Sequence, residues 1–252
     1  MILNIINKNI DVFLSKQIAI LISVFSMFSF KFLLEAKANH FTYWDFIANT
    51  VTDHYYILYF LMTFYIFSVF KIMEDTNSLT LIRTKKYRRY LFAQAASVFS
   101  ISAILMFIHI FIVGIIGVAL NKKNTFSVEA CNYNDVIAAY YKYFKTPVLA
   151  IGLHIIYMIL GLTFVGILIL GANRLLEKNL TIIVIVTMYM LALLGFNAGI
   201  DKAIPFLFLD EYVILHHALD ALGSKFYIMI LSEFAFASLI LYVIGKFGKI
   251  DG

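Results

Sequence analysis

Cysteine is almost absent from this sequence, and Cys131 stands alone. A single thiol excludes an intramolecular disulfide and any zinc site built on paired cysteines. Proline is nearly as scarce, with two, so few helices can be sharply broken. Charge is thin: Asp, Glu, Lys and Arg make up 14% of the residues, against about 25% in soluble domains. The sequence also lacks a phosphate-binding Gly-x-x-x-x-Gly-Lys-Ser/Thr loop, a His-Glu-x-x-His pair and a Gly-x-Ser-x-Gly elbow. No nucleophile–base set is evident, so the chain reads as non-catalytic, with no visible means of hydrolysing ATP itself.

What is present is apolar. Hydrophobic residues make up 62% of the 252, and mean hydropathy is +0.89. Several runs reach the ~20 residues that cross a bilayer. The fold class expected is all-α, a polytopic membrane protein with six transmembrane helices at 17–34, 54–73, 91–120, 147–172, 180–200 and 226–245. The third is long, and its small residues Ala93, Ser97 and Ser100 permit close helix approach. Pro147 suits the first turn of the fourth, and Gly152, Gly161, Gly166 and Gly171 thin that helix for packing.

The connecting segments carry their own signals. Ile2, Ile6, Ile10 and Phe13 recur at helical spacing opposite Asn4, Lys8, Asp11 and Ser15, which predicts an amphipathic helix over 1–16 lying in the interface; a frayed start of the first span is the other reading. Ala36-Lys37-Ala38 mimics a signal-peptidase site, but no short basic region precedes the apolar core, so the first span reads as retained. Residues 35–53 read as a loop whose Tyr43 and Trp44 suit an interfacial belt. Asn134-Asp135 can cap a short helix that turns Val136, Ile137, Tyr140, Tyr141 and Phe144 to the membrane surface. Residues 201–225 are too apolar for a free loop and too interrupted to span, as a re-entrant or surface-lying hairpin would be.

Basic residues set the orientation. Arg83, Arg88 and Arg89 crowd the stretch 74–90, and the fourth arginine, Arg174, lies in the other short polar break. Lys and Arg flanking short loops stay cytoplasmic. With six spans and both termini cytoplasmic, twelve of the 20 basic residues, every arginine among them, fall inside. The positive charge therefore reports topology and gives no reason to expect nucleic acid.

Few groups suggest chemistry. Tyr55, Tyr59 and Thr63 share one helix face, which either lines a translocation path or packs against a neighbour. Glu233 lies in the sixth span, either as a proton or cation site on that path or as a carboxyl hydrogen-bonded between helices. His109 and His154 suit interhelical hydrogen bonds. His216 and His217 sit near Asp210, Glu211 and Asp220, but adjacent residues on a helix point about 100° apart. No metal is expected there, and no cofactor in this chain. In the basic stretch, Asn77 or Ser78 can cap a short helix, Leu79, Leu81 and Ile82 offer apolar knobs, and Arg83 a planar donor fork. Such a helix suits a groove on a cytosolic partner; a basic loop on anionic lipid is the other reading.

The order of parts resembles the permease subunits of type-2 ABC exporters: an interfacial elbow helix, two spans, a cytoplasmic coupling helix, a long third span and an outer hairpin before the sixth. Residues 74–91, with Asn77, Arg83 and the cluster Lys85-Lys86-Tyr87-Arg88-Arg89-Tyr90, are similar to the corresponding loop of permeases from low-GC Gram-positive bacteria. Some of those export phenol-soluble modulins or protect against antimicrobial peptides. The resemblance implies a bacterial plasma-membrane subunit. It would pair with a second permease and dock an ATP-binding cassette ATPase through Asn77, Ser78, Leu79, Leu81, Ile82 and Arg83, with ATP and Mg held by that partner. An ion-coupled carrier or channel working through Glu233 is the alternative.

Overall fold

In the computed structural model, residues 2–74, 87–198 and 203–247 are described. The expected coupling residues Asn77, Ser78, Leu79, Leu81, Ile82 and Arg83 lie outside them. Every regular element among the described residues is a helix, and five helices are long and apolar enough to cross a membrane. We label the helices α1 (Ile2–Ala38), α2 (Tyr43–Thr52), α3 (54–74), α4 (Tyr87–Ile116), α5 (Val128–Tyr133), α6 (Asp135–Tyr143), α7 (Pro147–Leu175), α8 (Lys178–Ala198), α9 (Leu209–Val213), α10 (Leu215–Leu222) and α11 (Tyr227–Phe247).

The first two expected elements form one helix. At 1.5 Å per residue α1 is about 55 Å long, well beyond the ~30 Å hydrocarbon core. It runs unbroken past residue 16, where the interfacial helix was expected to end. Ile5, Asn9, Phe13, Leu21, Phe25, Phe32 and Ala36 form a single buried stripe down its length. Spacings of four, seven and eight keep such a stripe on one side of a helix. Near its start the stripe is polar: Asn9 Nδ2 donates to Gln94 Oε1 (3.2 Å) and Ser97 Oγ (3.0 Å) of α4. The N-terminal turns are thus held by α4, with Ile5 beside Ala93 and Tyr90.

The expected loop at 35–53 contains a helix. Thr42 and Asp45 cap each other's backbone amides and start α2, whose residues Asp45 to Thr52 are all buried. Phe46 packs on Gly117, where a β-carbon would meet its ring at 2.6 Å. Asp53 then caps α3 by accepting from Tyr56 N at 2.7 Å. Residues Ile57–Met62 within α3 are π-helical. Such a bulge releases backbone carbonyls from the ordinary ladder, and the Tyr189 hydroxyl of α8 donates to Leu58 O at 2.8 Å.

With its terminal turn, the third span covers Tyr87–Ala119, and its length agrees with the expectation. Asn134 caps α6 through Val136 N (2.8 Å) and Ile137 N (3.3 Å), again as expected. The side chains of α6 do not all face the membrane surface: Ile137 and Tyr140 are fully buried within the protein, and only Tyr141 of the five is exposed. Helix α7 is the axis of the fold, starting on Pro147 and buried on nearly every side. Three of its four glycines meet close neighbours: the Tyr212 backbone at Gly161, Val98 and Tyr65 at Gly166, and Ile240 at Gly171. Gly152 has open space.

The expected fifth span corresponds to α8, whose apolar stretch Asn179–Leu194 is shorter than a span among the described residues. Between α8 and α11 the chain turns inward. Residues 208–219, including all of α9, are buried, and α9 lies against the middle of α7.

Candidate functional site

Two regions of this bundle are organised for more than packing. The first is a cleft of about 760 Å³ between α3 and α8. Its walls are apolar, formed by Ile66, Phe67, Phe70, Ile185, Val186 and Met190 among others. Lys71 stands near the C-terminal end of α3, and Thr63 and Tyr189 supply hydroxyls, with Thr63 Oγ1 donating to Tyr189 Oη at 3.1 Å. Of the expected path residues, Thr63 lines this cleft. Tyr59 and Tyr55 stack on each other 6.3 Å apart, about half exposed, one and two turns before Thr63 on α3. Glu233 is not among the lining residues. It is buried on α11 beside Tyr157 and Tyr212.

The second region is a buried polar cluster at the opposite end of α3. His54 opens α3, His216 and His217 stand in the first turn of α10, and Asp210 and Glu211 lie in α9. Asp210, Glu211, His216 and His217 are each under 7% exposed, a costly burial inside an apolar bundle. His217 Nδ1 and Asp210 Oδ2 are 3.1 Å apart. The rings of His216 and His217 are perpendicular, 4.6 Å between centroids, and His54 lies 6.3 and 6.2 Å from them. Burial holds the His216 imidazole well below its usual range, reinforced by the neighbouring rings of His217, His154 and His54. Sequence spacing suggests only the 210–217 part of this set. His54 is over 150 residues away, and its one local signal is a position just after a capping aspartate.

The two isolated histidines differ in role. His154 is fully satisfied: Nδ1 lies 2.7 Å from Tyr140 Oη, and Nε2 2.9 Å from Val51 O. It ties α7 to α2 and α6, the interhelical bonding expected of it. His154→Leu removes both bonds and leaves the Tyr140 hydroxyl and the Val51 carbonyl buried. A loss of about 2 kcal/mol is expected on thermal or denaturant unfolding in detergent, and His154→Gln should recover part of it. His109 is different. It sits between the rings of Phe25 (4.5 Å) and Tyr56 (5.2 Å), and neither ring nitrogen has a hydrogen-bond partner among the described residues.

In the first turns of α4 a polar relay joins three helices. Arg174 of α7 donates to Tyr90 Oη at 2.7 Å and lies over its ring at 5.3 Å. Gln94 Nε2 donates to the same hydroxyl at 3.1 Å and accepts from Asn9 of α1. Arg174 is thus buried against an aromatic partner, where a topology count sees only a surface charge.

Comparison with protein-family models, with curated proteins and with solved structures finds no match for this chain.

Proposed function

We propose that this chain is the membrane-spanning permease subunit of an ATP-binding cassette exporter for amphipathic or hydrophobic peptides. It pairs with a second permease copy and an ATP-binding subunit in a bacterial plasma membrane, both termini cytoplasmic. The observation that carries this reading is the cleft between α3 and α8. Its volume falls in the ~300–1,000 Å³ range of ligand pockets. Its apolar walls end in Lys71 on one side and the Thr63–Tyr189 hydroxyl pair on the other, which matches a ligand with one greasy face and polar ends. The relay Arg174–Tyr90–Gln94–Asn9 is consistent with it, because it fastens α1, α4 and α7 into one body at the start of α4, which follows residues 75–86 directly in sequence. A push on that segment by a nucleotide-driven partner then moves three helices together. In this reading the buried stretch 208–219 serves as the outer re-entrant hairpin, the N-terminal turns of α1 as the elbow, and α8 as the fifth of six spans.

Reconstitution tests this. Vesicles containing the chain and its ATP-binding partner should accumulate a fluorescent amphipathic peptide only with hydrolysable ATP. Val186→Trp, which fills the cleft, should cut that rate at least tenfold while leaving the assembly intact. Uptake driven by a proton or sodium gradient without nucleotide would replace this reading by the alternative. One observation favours that second reading: Glu233 is 3% exposed within a span, and its Oε1 has no hydrogen-bond partner among the described residues. Glu233→Gln would abolish gradient-driven uptake and leave ATP-driven uptake unchanged.

A further inference from the structure

In the transport reading the stretch 208–219 serves only as a buried hairpin, and the imidazoles and carboxylates clustered at the head of α3 have no role. Two overlapping sets of ligand atoms meet there, one from His54, His216 and His217, the other from Asp210, Glu211 and His217. Within each set all ligand atoms lie within 4.8 Å of one another. We infer that His54, His216 and His217 bind a zinc-class divalent ion that staples the buried hairpin α9–α10 to the head of α3.

Four features support this. First, adjacent histidines on a regular helix diverge, but here they occupy the first turn of a short helix that follows an extended residue, Ile214. Both still bring a ring nitrogen within 4.8 Å of one on a third ring that arrives from α3. Second, donor chemistry selects the ion. Three imidazoles with carboxylates nearby and no thiolate suit Zn²⁺, and also Co²⁺ or Ni²⁺, whereas Mg²⁺ and Ca²⁺ prefer all-oxygen shells. Zinc–nitrogen bonds of about 2.0–2.1 Å in a tetrahedron put the nitrogens about 3.3 Å apart. The rings therefore need to close by no more than about 1.5 Å, within reach of small χ rotations.

Third, an outer shell is in place. Ligating histidines characteristically hold a carboxylate on their other nitrogen, which fixes tautomer and orientation. Asp210 stands in that relation to His217 Nδ1 at 3.1 Å, so His217 would ligate through Nε2. With Asp210 so engaged, Glu211 is the carboxylate at hand for a fourth position. Fourth, Asp210 is completely buried, its Oδ1 has no hydrogen-bond partner among the described residues, and neither has His216 Nδ1. Buried groups left in that state are expensive, and a bound cation relieves them. The staple would join segments about 160 residues apart in sequence, where a crosslink restricts the unfolded chain most.

The test uses the full chain in detergent or bilayer discs, with metal alone as the probe. Elemental analysis after dialysis should find one zinc per chain, and Co²⁺ added to chelator-stripped protein should give tetrahedral d–d absorption. Chelation should lower the thermal midpoint, and zinc should restore it. His54 is only half-buried, at the rim, so His54→Ala should fold yet bind Co²⁺ at least 100-fold more weakly and lose the chelator response. Asp210→Asn keeps all three imidazoles and should weaken binding about 10–100-fold. Wild-type protein that gives no cobalt spectrum and no zinc-dependent midpoint overturns the inference, and so does a His54→Ala variant that keeps a full equivalent of metal. Neither result bears on ATP-driven uptake.

Discussion

Gly161→Ala is expected to destabilise this protein more than a methyl added elsewhere on α7, by about 3 kcal/mol or more. A β-carbon at Gly161 would overlap the Tyr212 carbonyl oxygen and crowd the Val213 Cα. Those are backbone atoms of α9, and α9 is buried on its other sides. Side chains can turn away from an added methyl, but a buried backbone segment can only move as a whole. In thermal unfolding of the solubilised protein the midpoint should fall by about 6–12 °C, and Gly161→Val should yield no folded protein. Gly152→Ala is the internal control, because its β-carbon meets nothing within 4 Å. Gly166→Ala should fall between, since its neighbours are the Val98 and Tyr65 side chains. Equal midpoints for Gly161→Ala and Gly152→Ala would show that α9 does not press on α7 as described.

The double variant Leu81→Asp with Arg83→Glu should cost at least ~100-fold in affinity for the ATP-binding subunit. Docking in the proposed exporter rests on the apolar side chains Leu79, Leu81 and Ile82 and the guanidinium of Arg83. Truncating a single interface anchor costs about 2 kcal/mol or more. Removing two, with charge reversal, exceeds the ~2.8 kcal/mol that corresponds to 100-fold. Tagged permease should then purify without its ATPase, while its thermal midpoint stays within a degree or two of wild type. A variant that still retains the ATPase would remove the docking surface from the proposal. Loss of ATPase together with collapse of the midpoint would instead mark 75–86 as a folding element, with the same consequence.

Much of this fold was legible because membrane helices advertise themselves locally. Hydropathy placed the long spans, and Pro147 and Asn134 marked helix starts through backbone chemistry confined to one turn. The helix α2 was missed because a ten-residue segment gives no span-length apolar run. Its signal was the Thr42-x-x-Asp45 pair, a shortened capping box. The continuity of α1 was only the second reading of its first sixteen residues, for a different reason. An amphipathic stripe looks the same whether its apolar side meets lipid or another helix, and only Asn9 on Gln94 and Ser97 tells the two apart.

The candidate sites were less legible. Thr63 was picked out by spacing, but its partner Tyr189 lies on α8 and its role depends on how far apart α3 and α8 stand. The pair His216 and His217 was visible, and on an ideal helix it points in two directions. The third ring, His54, enters only when α9–α10 folds back beneath the head of α3.

By itself the sequence determined a helical membrane protein, the places of its longest helices and the residues that begin several of them. Each of those follows from transfer free energy and backbone hydrogen bonding within a few turns. The tertiary structure alone decided which glycine carries a backbone contact, which arginine is buried on a tyrosine, and that three histidines from opposite ends of the chain share one pocket. Those outcomes depend on where rigid helices come to rest against each other, and periodicity along one helix holds no record of its neighbour.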